Sequence, residues 1–525
     1  MTSVGAKPGA NGAPATPDVQ TLPPEKELSV TFQLPQASEH YVYTVNPKAG
    51  TVAVIDATTQ AIQTIKTGAL PSYLRTLDGT DDAIVLNVGS NKASIIRMRQ
   101  DKAEKSDLPV NAGANAIAVA PDGKHAVVYF NATFMSAGKT PGSYQDVAVL
   151  SIGRDPAGDS AVSMTVGFQP RDVFFDSQGA RAYVVTDDGV SVLDFEEIGK
   201  SGPGIAKLVT FGGDVDQKNL DVAITPDGHF GLARAENQSA LHLVELDTGK
   251  VRTLDLAKVY SQQQASAGEE DAGVPPAPVV VTDLDLMPAG HEALAALRNQ
   301  SAIARIPLPD AFVDPTKVQT IAVPGEIIGS LTIAPDARSA LAYSTTNVER
   351  MVIVDLASND EPHTVQLRKS VLAVAYTPDS STAIITHEKA PGSPDDPGLD
   401  PEVQVDRSYG YSLLRLKTGD VKLQRTATRL GPIAMVPDAP YLFILFRDDT
   451  LGVKEVQRVA LNSFLVDPII PLENPPISMG VARASGAVFV NLEHPDGRMT
   501  FIDWEEPIEK LKTVTGFELN SRIRN

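Results

Sequence analysis

The chain has 525 residues, no cysteine, and 65 acidic against 45 basic side chains, for a net charge of −20. Disulfides, thiolate metal sites and C-x-x-C-H haem attachment are excluded, and an acidic chain without clustered Lys and Arg is not built to neutralise nucleic-acid phosphates. The length admits one large domain or two.

In chain order, residues 1–27 come first, rich in Gly, Ala, Pro and Thr, a composition that predicts a flexible tether unable to bury a core. They contain no apolar signal-peptide core, and no run anywhere in the sequence is long and apolar enough to cross a bilayer. A short phrase then returns along residues 28–525: apolar residues, a Pro-Asp-Gly-like turn, and an apolar run. It reads AIAVAPDGKHAVVYF from Ala116, VAITPDGHFGLA from Val222, LTIAPDARSALAYS from Leu331 and VAYTPDSSTAIIT from Val374. Aligned on the turn, its copies place that position at Pro35, Leu77, Pro121, Ser177, Pro226, Pro288, Pro335, Pro378, Pro437 and Ala484. The repeats then begin near residues 28, 71, 113, 168, 216, 279, 326, 370, 429 and 475.

Within each period the pattern predicts a second strand after the turn, then a third ending near Asp, as in TVAVIDATT from Thr51 and GVSVLDFEE from Gly189, and a fourth such as VRTLDL from Val251. A four-stranded unit at this spacing is the signature of a propeller blade, which cannot bury both of its faces alone. The expected fold is all-β, a propeller of about seven to ten four-stranded antiparallel blades with almost no helix. One large ring, two tandem propellers, or a smaller ring with insertions all fit the repeat count. The segment after Gly516 is a candidate last strand beside the first blade.

The stretch HYVYTVNPKAGTVAVIDATTQAIQTIKTGALP, from His40 to Pro71, resembles the YVTN-type β-propeller repeat of bacterial and archaeal surface-layer and secreted proteins. The resemblance runs from about Leu28 onward and departs where the turn loses Gly, at Ala337, Ser380 and Ala439. It implies a binding scaffold, and by kinship with lactonase propellers a possible hydrolase. It also implies an extracytoplasmic location, periplasmic, lipoprotein-anchored or secreted, with residues 1–27 like the stretch that follows an anchor or a cleaved signal peptide.

Several catalytic signatures fail. Gly199-Lys200-Ser201 has Asp194 where a phosphate loop needs its first Gly, no G-x-S-x-G elbow occurs, and the eight His are scattered. One set of residues remains. Five positions before the turn, three consecutive repeats carry Asp172, Asp221 and Asp283, at the start of the innermost strand. Such positions point toward the central channel, so these carboxylates are the candidate ligands for a hard cation, Ca²⁺, with Arg171 and Asp285 beside them. The alternative is three solvated carboxylates.

Three insertions lengthen the repeats: residues 131–145, 261–278 and 389–411. Long loops in a compact fold are commonly functional, and Phe134, Met135, Tyr144, Tyr409 and Tyr411 are their candidate partner-binding anchors. The resulting expectation is a non-catalytic scaffold for a protein or cell-envelope partner. The alternative is a lactonase-like hydrolase with a cation at the channel mouth.

Overall fold

The computed structural model describes residues 35–135, 141–267, 278–323, 325–358, 360–437, 439–506 and 510–517. The predicted tether, residues 1–27, lies outside them. Ten sheets follow one another along the chain, nine of four strands and one of five, built of antiparallel strands in chain order apart from one short strand that joins the neighbouring sheet. Blade 1 comprises Gln36–Ala37, Tyr41–Asn46, Thr51–Asp56 and Ile62–Lys66. The other inner strands begin at Pro71, Ala116, Asp172, Leu220, Val281, Ser330, Val371, Leu430 and Pro476. The fifth strand of blade 3, Gly204–Ile205, pairs parallel with Ser160–Thr165 and is lent by blade 4.

The hydrophobic cores fix the blade number and the closure. Each lies between two sheets: Val54 with Val85 for blades 1 and 2, Ile95 with Val128 for blades 2 and 3, and so on to Val456 with Val490 for blades 9 and 10. The remaining cluster joins Val42 and Ile55 of blade 1 to Phe489, Phe501 and Phe517 of blade 10. The chain is therefore one ten-bladed β-propeller. Most second and third strands bury both faces, as in the second strand Asp82–Asn87 and the third strand Lys92–Arg99, so their apolar runs are nearly continuous instead of alternating.

Blade 1 has four strands of its own, and blade 10 ends with Lys512–Thr515. The side chains of Phe489, Phe501 and Phe517 pack with Val42 and Ile55 at the junction, and the Ala484 N–H donates to the Glu39 carbonyl at 2.9 Å. Residues 518–525, the rest of the candidate closing strand, lie outside the described residues.

The repeated turn has a local cause. Asp122, Asp227, Asp336 and Asp379 each accept, through Oδ1, the N–H two residues on, at 2.9 to 3.1 Å. This carboxylate turn needs a left-handed residue after the Asp, supplied by Gly123 and Gly228. Ala337 (φ 59°) and Ser380 (φ 56°) hold the same conformation without Gly, so the turn survives where the sequence pattern weakens. The first copy was misplaced: the turn lies at residues 38–40, after Pro35 and not at it. There Ser38 substitutes for Asp, its Oγ accepting the Tyr41 N–H at 3.2 Å.

Helix is more frequent than the repeat pattern predicts, with Phe195–Ser201, Leu256–Ala267 and Pro401–Asp406 among the described residues. Leu256–Ala267 occupies part of the insertion read as a loop. Leu256, Val259 and Tyr260 pack into the core of blades 5 and 6 at helical spacing, and Gln263 Nε2 donates to the Val318 carbonyl at 2.9 Å.

Candidate binding face

Strand order assigns the insertions to one side of the ring. In an antiparallel blade, the connection from second to third strand and that from outer strand to the next inner strand leave from the same rim. Residues 131–145 and 389–408 are connections of the first kind, and 256–280 is of the second. The starts of the inner strands lie on this rim too, and with them Asp172, Asp221 and Asp283. The carboxylate turns occupy the opposite rim.

The three aspartates share the rim, and two of them are engaged by protein groups. Asp221 pairs across its hairpin with Arg234 at 3.0 Å. Asp283 is buried and turned sideways: its Oδ2 accepts the Leu331 N–H at 2.7 Å and its Oδ1 the Leu284 N–H at 2.8 Å. Asp285 likewise accepts the Ile333 N–H at 2.9 Å. Both cap backbone donors on the free inner edge of blade 7, groups that no further strand can satisfy. Asp172 is solvent-exposed at its surface, yet the dense channel wall pushes its carboxyl up, with Arg171 opposing and Asp221 reinforcing the shift. Among the described residues no group of three His, Asp or Glu side chains is arranged to hold a metal ion. Of the carboxylates expected to hold Ca²⁺, Asp172, Asp221 and Asp283, two already have protein partners: Arg234 for Asp221 and backbone N–H groups for Asp283.

Arg171 is a clamp. Its Nη2 donates to the carbonyls of Gln217 and Leu220 at 3.1 and 3.2 Å, and its own carbonyl accepts Asn131 Nδ2 at 2.7 Å. Asn131 is 2% exposed and exchanges hydrogen bonds with Asn115, so the first insertion leaves blade 3 from a fixed point. Its extended backbone shows that hydrogen bonding, and not a left-handed turn, selects Asn here. Beyond it Phe134 and Met135 stand 49% and 42% exposed. Phe134 overhangs a cavity of about 270 Å³ lined also by Tyr73, Tyr129, Phe174 and Asp172. Tyr144 is half-buried, edge-on to Phe130 and stacked on Phe168 with centroids 5.6 Å apart, and thereby supports the end of the loop. Residues 136–140 of the insertion lie outside the described residues.

The insertion in blade 8 is equally anchored. Lys369 is 1% exposed, and its Nζ donates to the carbonyls of Val405 and Asp406 at 2.7 and 2.8 Å, at the C-terminal end of Pro401–Asp406. Burial pulls its pKa down while Asp406 and Glu349 pull it up. Arg407 binds Asp396 at 2.7 Å across the loop. Tyr409 is half-buried at the loop's end, with Lys389 Nζ 5.5 Å from its ring centroid. Tyr411 is not a surface anchor: it is fully buried with Leu442, Phe446 and Phe464 between blades 8 and 9. It belongs to the third strand of blade 8, Tyr409–Arg415, which is buried from Gly410 to Leu414. Lys369→Met is expected to free the segment, and limited proteolysis should then cut within 389–408 several-fold faster than in the parent chain; equal rates would leave Lys369 without an anchoring role.

No family model and no curated protein matches the chain. Among solved structures, dihydro-heme d1 dehydrogenase NirN is 15% identical, with 72% of this chain and 74% of that chain covered and a TM-score of 0.40. A eukaryotic initiation factor is 10% identical over 82% of this chain and 96% of that chain, with a TM-score of 0.47. The β-propeller domain of Cps50 (Swd1) from Myceliophteria thermophila is 13% identical over 62% and 94%, with a TM-score of 0.32. At such scores the likenesses carry no functional argument, and the ten-bladed ring rests on the chain's own sheets and cores.

Proposed function

We propose that the protein is a non-catalytic binding scaffold that engages a protein or cell-envelope partner through the rim carrying its insertions. One observation carries this reading: Phe134, Met135 and Phe168 expose large apolar side chains together on that rim, held in place by Asn131, Arg171 and Tyr144. A rigid support beneath exposed aromatic anchors lowers the entropy lost on binding. The YVTN-like repeat supports an extracytoplasmic setting, periplasmic, lipoprotein-anchored or secreted, with which a chain free of cysteine is compatible. The hydrolase alternative needs carboxylates free to hold a cation and accept a proton, and Asp221 and Asp283 are already bound to Arg234 and to backbone N–H groups.

The test is capture from envelope fractions, with crosslinked partners identified by mass spectrometry. Phe134→Asp combined with Met135→Asp should abolish capture at unchanged melting temperature, because both side chains are exposed. Val313→Asp, at a 70% exposed site on the opposite rim, should capture like the parent chain. Equal capture by all three proteins would remove the binding face from this rim.

A further inference from the structure

The cavity between blades 8 and 9 is of a different kind from the rim. It encloses about 400 Å³ between the inner strands Val371–Tyr376 and Leu430–Met435, within the size range of small-molecule sites. Its origin is visible in the strand register. Leu430 pairs with Phe446 and Ile433 with Ile444, so Gly431 and Pro432 together oppose Leu445, and the inner strand of blade 9 bulges. Pro432 has no N–H to restore the ladder, which stabilises the bulge. The walls are Leu372, Val374, Ile384, Leu430, Ile433 and Met435.

Two further observations specify the occupant. The deep polar group, His387, is spent on the protein: Nε2 meets Ser412 Oγ at 2.7 Å and Nδ1 the Ser370 carbonyl at 3.0 Å. Arg429 lines the mouth and is exposed, and its guanidinium makes no hydrogen bond or ion pair with any described residue. Lys389, tied to the Gly392 carbonyl at 2.7 Å, adds a second positive charge above Tyr409. Among the described residues no carboxylate lines the cavity, although the chain as a whole carries a net charge of −20. An apolar chamber with an unpaired guanidinium at its mouth complements an amphipathic anion, since Arg presents paired donors matched to a carboxylate.

We propose that this cavity binds an apolar monocarboxylate of the fatty-acid type, its alkyl chain between blades 8 and 9 and its carboxylate on Arg429. The proposal does not rest on the rim as partner-binding face: the cavity is in other blades than Phe134, so loss of one activity without the other is a readable result. The full chain is titrated calorimetrically with decanoate below its micelle concentration, with decanol and acetate as comparators. Decanoate should bind saturably with one site per chain, decanol more weakly, and acetate not at all. Arg429→Gln, at an exposed position, should weaken decanoate about tenfold, the effect of losing a charge-assisted hydrogen bond, and leave decanol unchanged. Ala373→Phe, which fills the chamber, should abolish both alkyl ligands in a protein whose melting temperature shows it folded. Absence of decanoate binding, equal affinity for decanol, or indifference to Arg429→Gln would each overturn the proposal.

Discussion

Replacing Asp159 with Ala is expected to destabilise the protein by about 3 to 5 kcal/mol, the characteristic cost of leaving a buried charge without its partner. Arg97 of blade 2 and Asp159 of blade 3 form an ion pair whose two side chains are both 0% exposed. Arg97 Nη2 also donates to the Gly153 carbonyl at 3.0 Å, while Asp159 accepts the Gly153 N–H at 2.9 Å and the Ser106 hydroxyl. The pair therefore fastens the third strand of one blade to a hairpin of the next. Without the carboxylate, Arg97 keeps one carbonyl and a desolvated positive charge. Arg97→Met combined with Asp159→Ala should recover much of the loss, because it removes the charge along with its partner. Denaturant midpoints of both variants decide the matter: a single substitution no more damaging than the double one would show that the pair is not what holds the junction.

That pair also shows where sequence reading stops. In Lys92–Arg99, Ala93 and Ile95 face the core of blades 2 and 3, and Arg97 continues the same alternate series. A charged residue on the core-facing series of a strand signals a buried partner, but nothing in the sequence says that the partner is Asp159. The repeat itself was legible because Asp-Gly turns are made by adjacent residues: Asp122 and Gly123 suffice for one. Blade 1 was misread because Ser38 does the work of Asp without the motif. The blade count was decided by long-range packing, Phe517 against blade 1, that no local pattern encodes. The aspartate series was correctly aligned on one rim, yet side-chain direction depended on Arg234 and on the edge of blade 7, which only the fold brings near. Tyr411 was misassigned for a related reason: it stands two positions beyond half-buried Tyr409 in the same strand, Tyr409–Arg415, and only from Gly410 onward is that strand buried. The cavity of blades 8 and 9 had its signal in Gly431-Pro432, a pair that cannot continue a regular inner strand.

Acid should weaken the fold through His387, and the sign follows from its burial. Burial lowers its pKa from 6.5 to about 4, with Lys369 adding to the effect and the hydrogen bond to Ser370 opposing it. A histidine with a depressed folded pKa binds its proton more readily in the unfolded chain. Its contribution to stability is thus complete above about pH 6.5, falls as the pH drops from there toward 4, and changes no further below. The full loss is on the order of 3 kcal/mol. His125 and His242, also lowered by burial, act in the same direction. Asp172 and Asp285, raised by burial, act in the opposite one, since the folded chain holds their protons more tightly as carboxylates begin to titrate. His387→Gln keeps a hydrogen-bonding side chain at the position and removes the titration. Stability of parent and variant, compared from neutral pH down to about 4.5 by denaturant midpoint, should differ by a constant above about pH 6.5 and converge below it. Parallel curves through the whole range would mean that His387 does not set the acid limit. Convergence would place that limit at the floor of the cavity between blades 8 and 9, where protonation puts a charge beneath an apolar chamber and loosens the junction that forms it.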